Sequence, residues 1–185
     1  MMKTLPMNTL HKPAQRPTRL PIQQASACIL GLCLGLSSAF ADGSRMPAKV
    51  LPSYTAECAA CHTAYPPGML PAKSWQRIMK GLDRHYGSDA SLDAKTVVEI
   101  GQWLQTHAGT YQRVTEEPPQ DRLTKSAWFE REHRKIASAV WQLPSVKSAA
   151  NCAACHTGTE QGLFDDDRLQ RPAGLSARQS RAWND

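Results

Sequence analysis

The pentapeptide Cys58-Ala59-Ala60-Cys61-His62 recurs as Cys152-Ala153-Ala154-Cys155-His156, and this repeat constrains the chain more than any other feature. Two cysteines so close in sequence close only a small, strained disulfide ring, and a disulfide explains neither adjacent histidine. Structural zinc could use four thiolates, yet it has no need of a following histidine twice. A thioredoxin-like redox motif requires a strand–helix–strand setting, and no β-branched run precedes either copy. C-x-x-C-H is the attachment motif of c-type haem. Its spacing lets two thiols add across the two vinyl groups at one porphyrin edge, and the next histidine then reaches the iron. Cys58, Cys61, Cys152 and Cys155 are therefore read as thioether anchors of two covalently bound haem c groups, with His62 and His156 as proximal iron ligands.

The formal charge of +6 would suit a nucleic-acid binder, but its placement argues otherwise. Residues 1–41 carry Lys3, Lys12, Arg16 and Arg19 and no acid. An apolar stretch from Ala25 to Phe40 follows, ending in Ala39-Phe40-Ala41. A basic start, a short apolar core and a small-x-small site read as a secretory signal cleaved after Ala41, which implies a periplasmic protein. The stretch is shorter than the ~20 apolar residues of a spanning helix, so no stable membrane insertion is expected after cleavage. The remaining chain holds 18 of the 22 Lys+Arg against all 16 Asp+Glu. That near balance removes the electrostatic footprint of nucleic-acid binding.

Glu116-Glu117-Pro118-Pro119 is the clearest internal boundary, because paired prolines cannot continue a helix. It divides the mature chain into 42–117 and 118–185, two small lobes with one haem each. Between the motifs the apolar periodicity is helical. Trp75, Ile78, Met79, Leu82 and Tyr86 predict a helix over 75–86 capped by Ser74. Val97, Ile100, Trp103 and Leu104 predict another over 92–108, capped by Ser91 and stopped at Gly109. Phe129, Ile136 and Val140 predict a third from Thr124 or Ser126 to Trp141 or Gln142. Residues 143–185 show no sustained period, and 172–185 read as a loose tail. No alternating strand pattern of any length occurs, so the fold class is mainly α with extensive loops. Porphyrins would supply much of the core that lobes this small lack.

Each iron also needs a distal decision: a strong ligand makes an electron-transfer centre, and an open site permits oxygen or peroxide chemistry. His85 falls on the apolar stripe of the first predicted helix and His133 on that of the third, so each half offers one inward histidine as a distal ligand. His107, in the last turn of its helix, reads instead as a partner of the helix C-terminus. Met79 reads as core filler, whereas Met69, in the Pro-rich loop, competes with His85 for the first haem. Pairing by proximity along the chain joins His85 to His62 and His133 to His156; a crossed pairing satisfies the same count.

With these residues in view the chain resembles a known family, the small bacterial dihaem cytochromes c. The likeness is carried by Cys58-Ala-Ala-Cys-His62, Pro66-Pro67-Gly68-Met69-Leu70-Pro71 with Ser74-Trp75, and Ile78-Met79-x-x-Leu82-x-x-His85-Tyr86-Gly87. Trp128-Phe129-x-x-Glu132-His133-Arg134-Lys135-Ile136 and Ser148-Ala-Ala-Asn151-Cys152-Ala-Ala-Cys155-His156 extend it over about residues 56–165. The resemblance implies a periplasmic electron carrier with two bis-histidine haems, and it assigns His85 and His133 as the distal ligands. It also implies redox-protein partners, such as a high-spin monohaem cytochrome c or a membrane b-type cytochrome.

The expected function is single-electron transfer without catalysis. The rival is a small haem enzyme, a peroxidase or a reductase of oxygen or nitrogen oxides, which would need one open iron. Asp165-Asp166-Asp167, just beyond the second motif, reads as a solvated acidic loop, with steering of a basic partner or lowering of that haem's potential as the sharper alternative.

Overall fold

The computed structural model describes residues 46–183; the signal expected over 1–41 lies outside the described residues. The described chain is mainly helical, with five α-helices joined by single 3-10 turns and irregular loops, and with isolated β-bridges but no strand. They are α1 (Pro52–Cys58), α2 (Ala72–Lys80), α3 (Ala94–His107), α4 (Ala127–Glu132) and α5 (Ala177–Ala182). No described helix is long and apolar enough to cross a membrane.

The helices start and stop at local signals, though not always at those expected. α1 was not anticipated: Pro52 enters its first turn, where a missing N–H costs nothing, and it ends at Cys58, so it delivers the first anchor thiol. α2 begins on Pro71 rather than Ser74, which lies inside the helix and is fully buried. It stops at Gly81, five residues short of the expected end, because glycine both disfavours continuation and lets the chain turn. Leu82–Arg84 is a separate 3-10 turn, so His85 stands in a loop and not on a helical stripe. α3 is capped by Asp93 instead of Ser91. Its carboxylate accepts the amides of Lys95 and Thr96 and the Thr96 hydroxyl.

The long third helix is the largest correction. α4 is capped by Ser126 as expected but contains six residues, and Ser138–Gln142 is a distinct 3-10 turn. In a continuous helix Phe129 and Trp141 would stand about 18 Å apart along the axis. The observed ring centres are 6.3 Å apart. The aromatic contact is made by turning the chain back after His133, and that tertiary gain overrides the periodicity.

The core is one cluster. Met69, Leu70, Trp75 and Met79 pack against Tyr54, Ile100 and Leu104, and Leu123, Trp128 and Phe129 join the same cluster from beyond the diproline. Tyr111 meets Trp128 edge to face at 5.2 Å, which ties α4 to the segment leaving α3. The loop after the first motif is pinned under α3 by Gly109 N–H donating to the Leu70 carbonyl and Tyr111 N–H to that of Gly68. Gly68 is required there, since a Cβ would fall 3.3 Å from the Tyr111 amide nitrogen and closer still to the Thr110 hydroxyl.

The diproline segment is tied down at several points. Arg77 of α2 holds Asp121 through two hydrogen bonds of 2.8 and 2.6 Å and also reaches Glu117. Glu116 accepts the Ala127 amide at the start of α4. The last segment is likewise less loose than its composition suggests. Ser176 and Gln179 form a reciprocal capping box at α5, and the Ser145 hydroxyl donates to the Ala173 carbonyl.

Candidate haem sites

α1 carries Cys58 at its end, and the chain then turns through Cys61 to His62. The His62 Nδ1 lies 2.7 Å from the Thr63 carbonyl; because a carbonyl only accepts, Nδ1 carries the proton and Nε2 is left free. Facing it is His85, with ring centres 6.2 Å apart and planes 17° from parallel. Tyr65 lies on the other side of His62 at 5.0 Å. Its hydroxyl donates to the Ala150 carbonyl, 85 residues away and just before the second motif.

The second motif is a 3-10 turn at Cys152–Ala154, clasped by residues 168–170. Gln170 N–H donates to the Cys155 carbonyl at 2.7 Å and Thr157 N–H to the Arg168 carbonyl at 3.0 Å, forming a bridge between His156 and Leu169. His133, at the C-terminal end of α4, faces His156 with ring centres again 6.2 Å apart and planes 70° apart. The His133 Nδ1–H donates to the Phe129 carbonyl one turn back at 2.9 Å, which fixes the tautomer with Nε2 free. Phe129 stacks on the ring at 4.0 Å and Trp141 lies at 5.9 Å.

The residues present fit a haem in each place. An iron about 2 Å from each of two imidazole nitrogens, the usual reach of histidine to such metals, puts the ring centres roughly 6.3 Å apart. Both histidine pairs sit at that spacing. None of the four motif cysteines is taken up by a disulfide. Burial pushes the Cys58 thiol up to about 11 and the Cys152 thiol up to about 11, the opposite of the lowered value a thioredoxin-type nucleophile needs. Among the described residues no group of three or more His, Cys, Asp or Glu side chains gathers, so the thiols do not converge on a tetrahedral zinc site.

The other sequence candidates lie elsewhere. Met69 and Met79 are buried in the core cluster. His107 bonds the Trp103 carbonyl at 2.8 Å and rests against that indole. Arg168 pairs with Asp165 at 3.7 Å, and the fields of Asp165 and Asp166 reach His156. Sequence reasoning missed the ties that Tyr65 and Tyr86 make to partners far along the chain, and the clasp of the second motif by residues 168–170.

Burial lowers the pKa of His133 and His156 from the ordinary 6.5; the charge of His133 lowers His156 further. Burial followed by the charge of His62 lowers His85. Asp121 is held low by Arg77, so the stability this pair contributes is complete above 3.8 and is lost as pH falls below it. The expected result is a denaturation midpoint that declines as pH falls below 3.8 through loss of this pair, measured by chemical unfolding across pH.

Residues 54–164 match the family described as dihaem cytochrome c. No curated protein sequence matches the chain significantly. Three solved structures are similar. DHC purified from Rhodobacter sphaeroides is 38% identical over 63% of this chain and 98% of that chain, with a TM-score of 0.54. A second structure, of diheme cytochrome c from Rhodobacter sphaeroides, is 35% identical over 65% and 99%, with a TM-score of 0.56. The diheme cytochrome type c of Shewanella baltica OS155 is 36% identical over 66% and 93%, with a TM-score of 0.58. With two attachment motifs, four cysteines outside any disulfide and two facing histidine pairs, the chain belongs to the dihaem cytochrome c family and carries two covalently bound haem c groups.

Proposed function

We propose that this protein is a periplasmic single-electron carrier whose two irons are each held by two histidines, His62 with His85 and His156 with His133. The carrying observation is the common ring-centre spacing of 6.2 Å in both pairs, which leaves room for one iron between the rings and favours the proximity pairing over a crossed one. Burial of Met69 in the core cluster favours His85 over it as the distal ligand.

The haem supplies an iron that exchanges one electron between ferric and ferrous states. The chain's part is to keep that exchange free of rearrangement. Two imidazoles hold the iron low-spin in both states and lower its potential relative to Met/His ligation. The Phe129 carbonyl and ring fix His133, and the clasp at 168–170 fixes the motif that carries His156. Electrons pass to other redox proteins that dock transiently through small patches; a high-spin monohaem cytochrome c or a membrane b-type cytochrome suits this role. Export follows from the basic, apolar and Ala39-Phe40-Ala41 succession at the start of the chain.

Low-temperature EPR of the oxidised protein tests the reading. Two low-spin bis-imidazole signals are expected, and they should differ in anisotropy because one ligand pair is near-parallel and the other near-perpendicular. A substantial high-spin ferric signal in the resting protein would overturn it.

A further inference from the structure

Four non-glycine residues among those described have positive φ: Tyr86 at 52°, Gln120 at 57°, Asp121 at 55° and Lys147 at 69°. Three of them meet at one place. The Tyr86 hydroxyl reaches the Asp121 carbonyl at 2.9 Å and the Gln120 carbonyl at 3.3 Å, and Arg122 lies over the Tyr86 ring at 4.4 Å. Asp121 is held in turn by Arg77 of α2. Strained backbone persists only where its surroundings over-determine it, and it gathers at functional sites. This tie lies one residue from His85.

The two distal histidines are held very differently. His133 ends a capped helix, donates to the Phe129 carbonyl and is stacked on Phe129. His85 stands between a 3-10 turn and Gly87 at φ 101°, and among the described residues its ring contacts His62 and Tyr86 with no side-chain hydrogen bond to the protein. An imidazole whose second nitrogen is not held by a protein carbonyl is less fixed in orientation than one that is.

We propose that the first haem is a latent binding site for a neutral diatomic ligand of ferrous iron, opened when His85 leaves and kept closed by the Tyr86 tie. The inference rests on the bis-histidine reading above. In the exchange the iron–His85 Nε2 bond breaks, the imidazole keeps its electron pair, and the incoming molecule donates its own pair; no electron is gained or lost. Tyr86 and Asp121 are positioning residues, acting through the loop that carries His85.

Carbon monoxide is the probe, used on the reduced protein with both haems attached and followed by the Soret shift. One haem of the two is expected to bind it, at a rate that saturates with carbon monoxide because His85 departure is limiting. His85→Ala should still bind at one haem but without the rate limit, whereas His133→Ala should bind at both. Tyr86→Phe keeps the ring and its Arg122 contact and loses only the hydroxyl. It should raise the limiting rate about fivefold, the worth of one hydrogen bond, with the ferric spectrum still low-spin. No uptake by the unaltered protein, the reverse pattern between the two histidine variants, or an unchanged rate in Tyr86→Phe each overturns the proposal. A resting high-spin ferric signal would instead overturn the bis-histidine reading and this inference with it.

Discussion

Replacing His133 by alanine is expected to leave both haems attached and to turn one of them high-spin in the ferric protein. Attachment survives because Cys152 and Cys155 lie in a different segment from His133, clasped by residues 168–170. Under the proposed bis-histidine ligation the second iron loses a strong-field imidazole while the first keeps both of its own, so the spin state changes. About half of the ferric haem should therefore shift, read from EPR and from the visible charge-transfer band. The site will not collapse to refill the position, since the hole is bounded by Phe129 and Trp141. Added imidazole should enter it and restore the low-spin spectrum, which separates a missing ligand from a damaged fold. His107→Ala serves as the control: that ring is engaged with Trp103 and both spectra should stay as they are.

Truncating Leu104 to alanine is expected to cost about 2–5 kcal/mol of stability, the range for large-to-small changes at closely packed sites. Leu104 and Ile100 are the fully buried face of α3, in the same cluster as Trp75 and Met79 of α2. Against the roughly 5–15 kcal/mol that holds a typical domain, this is a large fraction. The loss should extend to the first haem site, because α3 anchors the loop at Gly68 and Leu70 that follows the first motif. Val98, on the same helix but 57% exposed, gives the comparison: Val98→Ala should change stability by less than about 0.5 kcal/mol. Denaturant unfolding of both holoproteins, followed by the Soret band and by far-UV circular dichroism, measures the difference.

The two attachment motifs were legible in the sequence because their chemistry is local: five consecutive residues suffice to bind and ligate. Ser126 as a cap and the buried face of Ile100 and Leu104 were legible for a similar reason. His85 was reached through a faulty premise, since the stripe from Trp75 to Tyr86 was read through Gly81, and α2 ends there. The capping box Ser176-x-x-Gln179 stood in plain view, and the lack of a longer period obscured it. What escaped has a common cause. Trp141 turning back on Phe129, Tyr86 on Asp121 and Tyr65 on Ala150 are contacts between distant segments. No periodicity within a window encodes such contacts.

The bond from Tyr65 to Ala150 also bears on the order in which this molecule is assembled. Chains fold as they emerge, amino end first, and contacts of high sequence separation form late and slowly. Tyr65, just after the first motif, therefore finds its partner only once 85 further residues have appeared. The second motif meets its clasp only 15 residues after Cys155, through Gln170. Counted from its own emergence, the loop after the first motif is thus secured late and the second motif early.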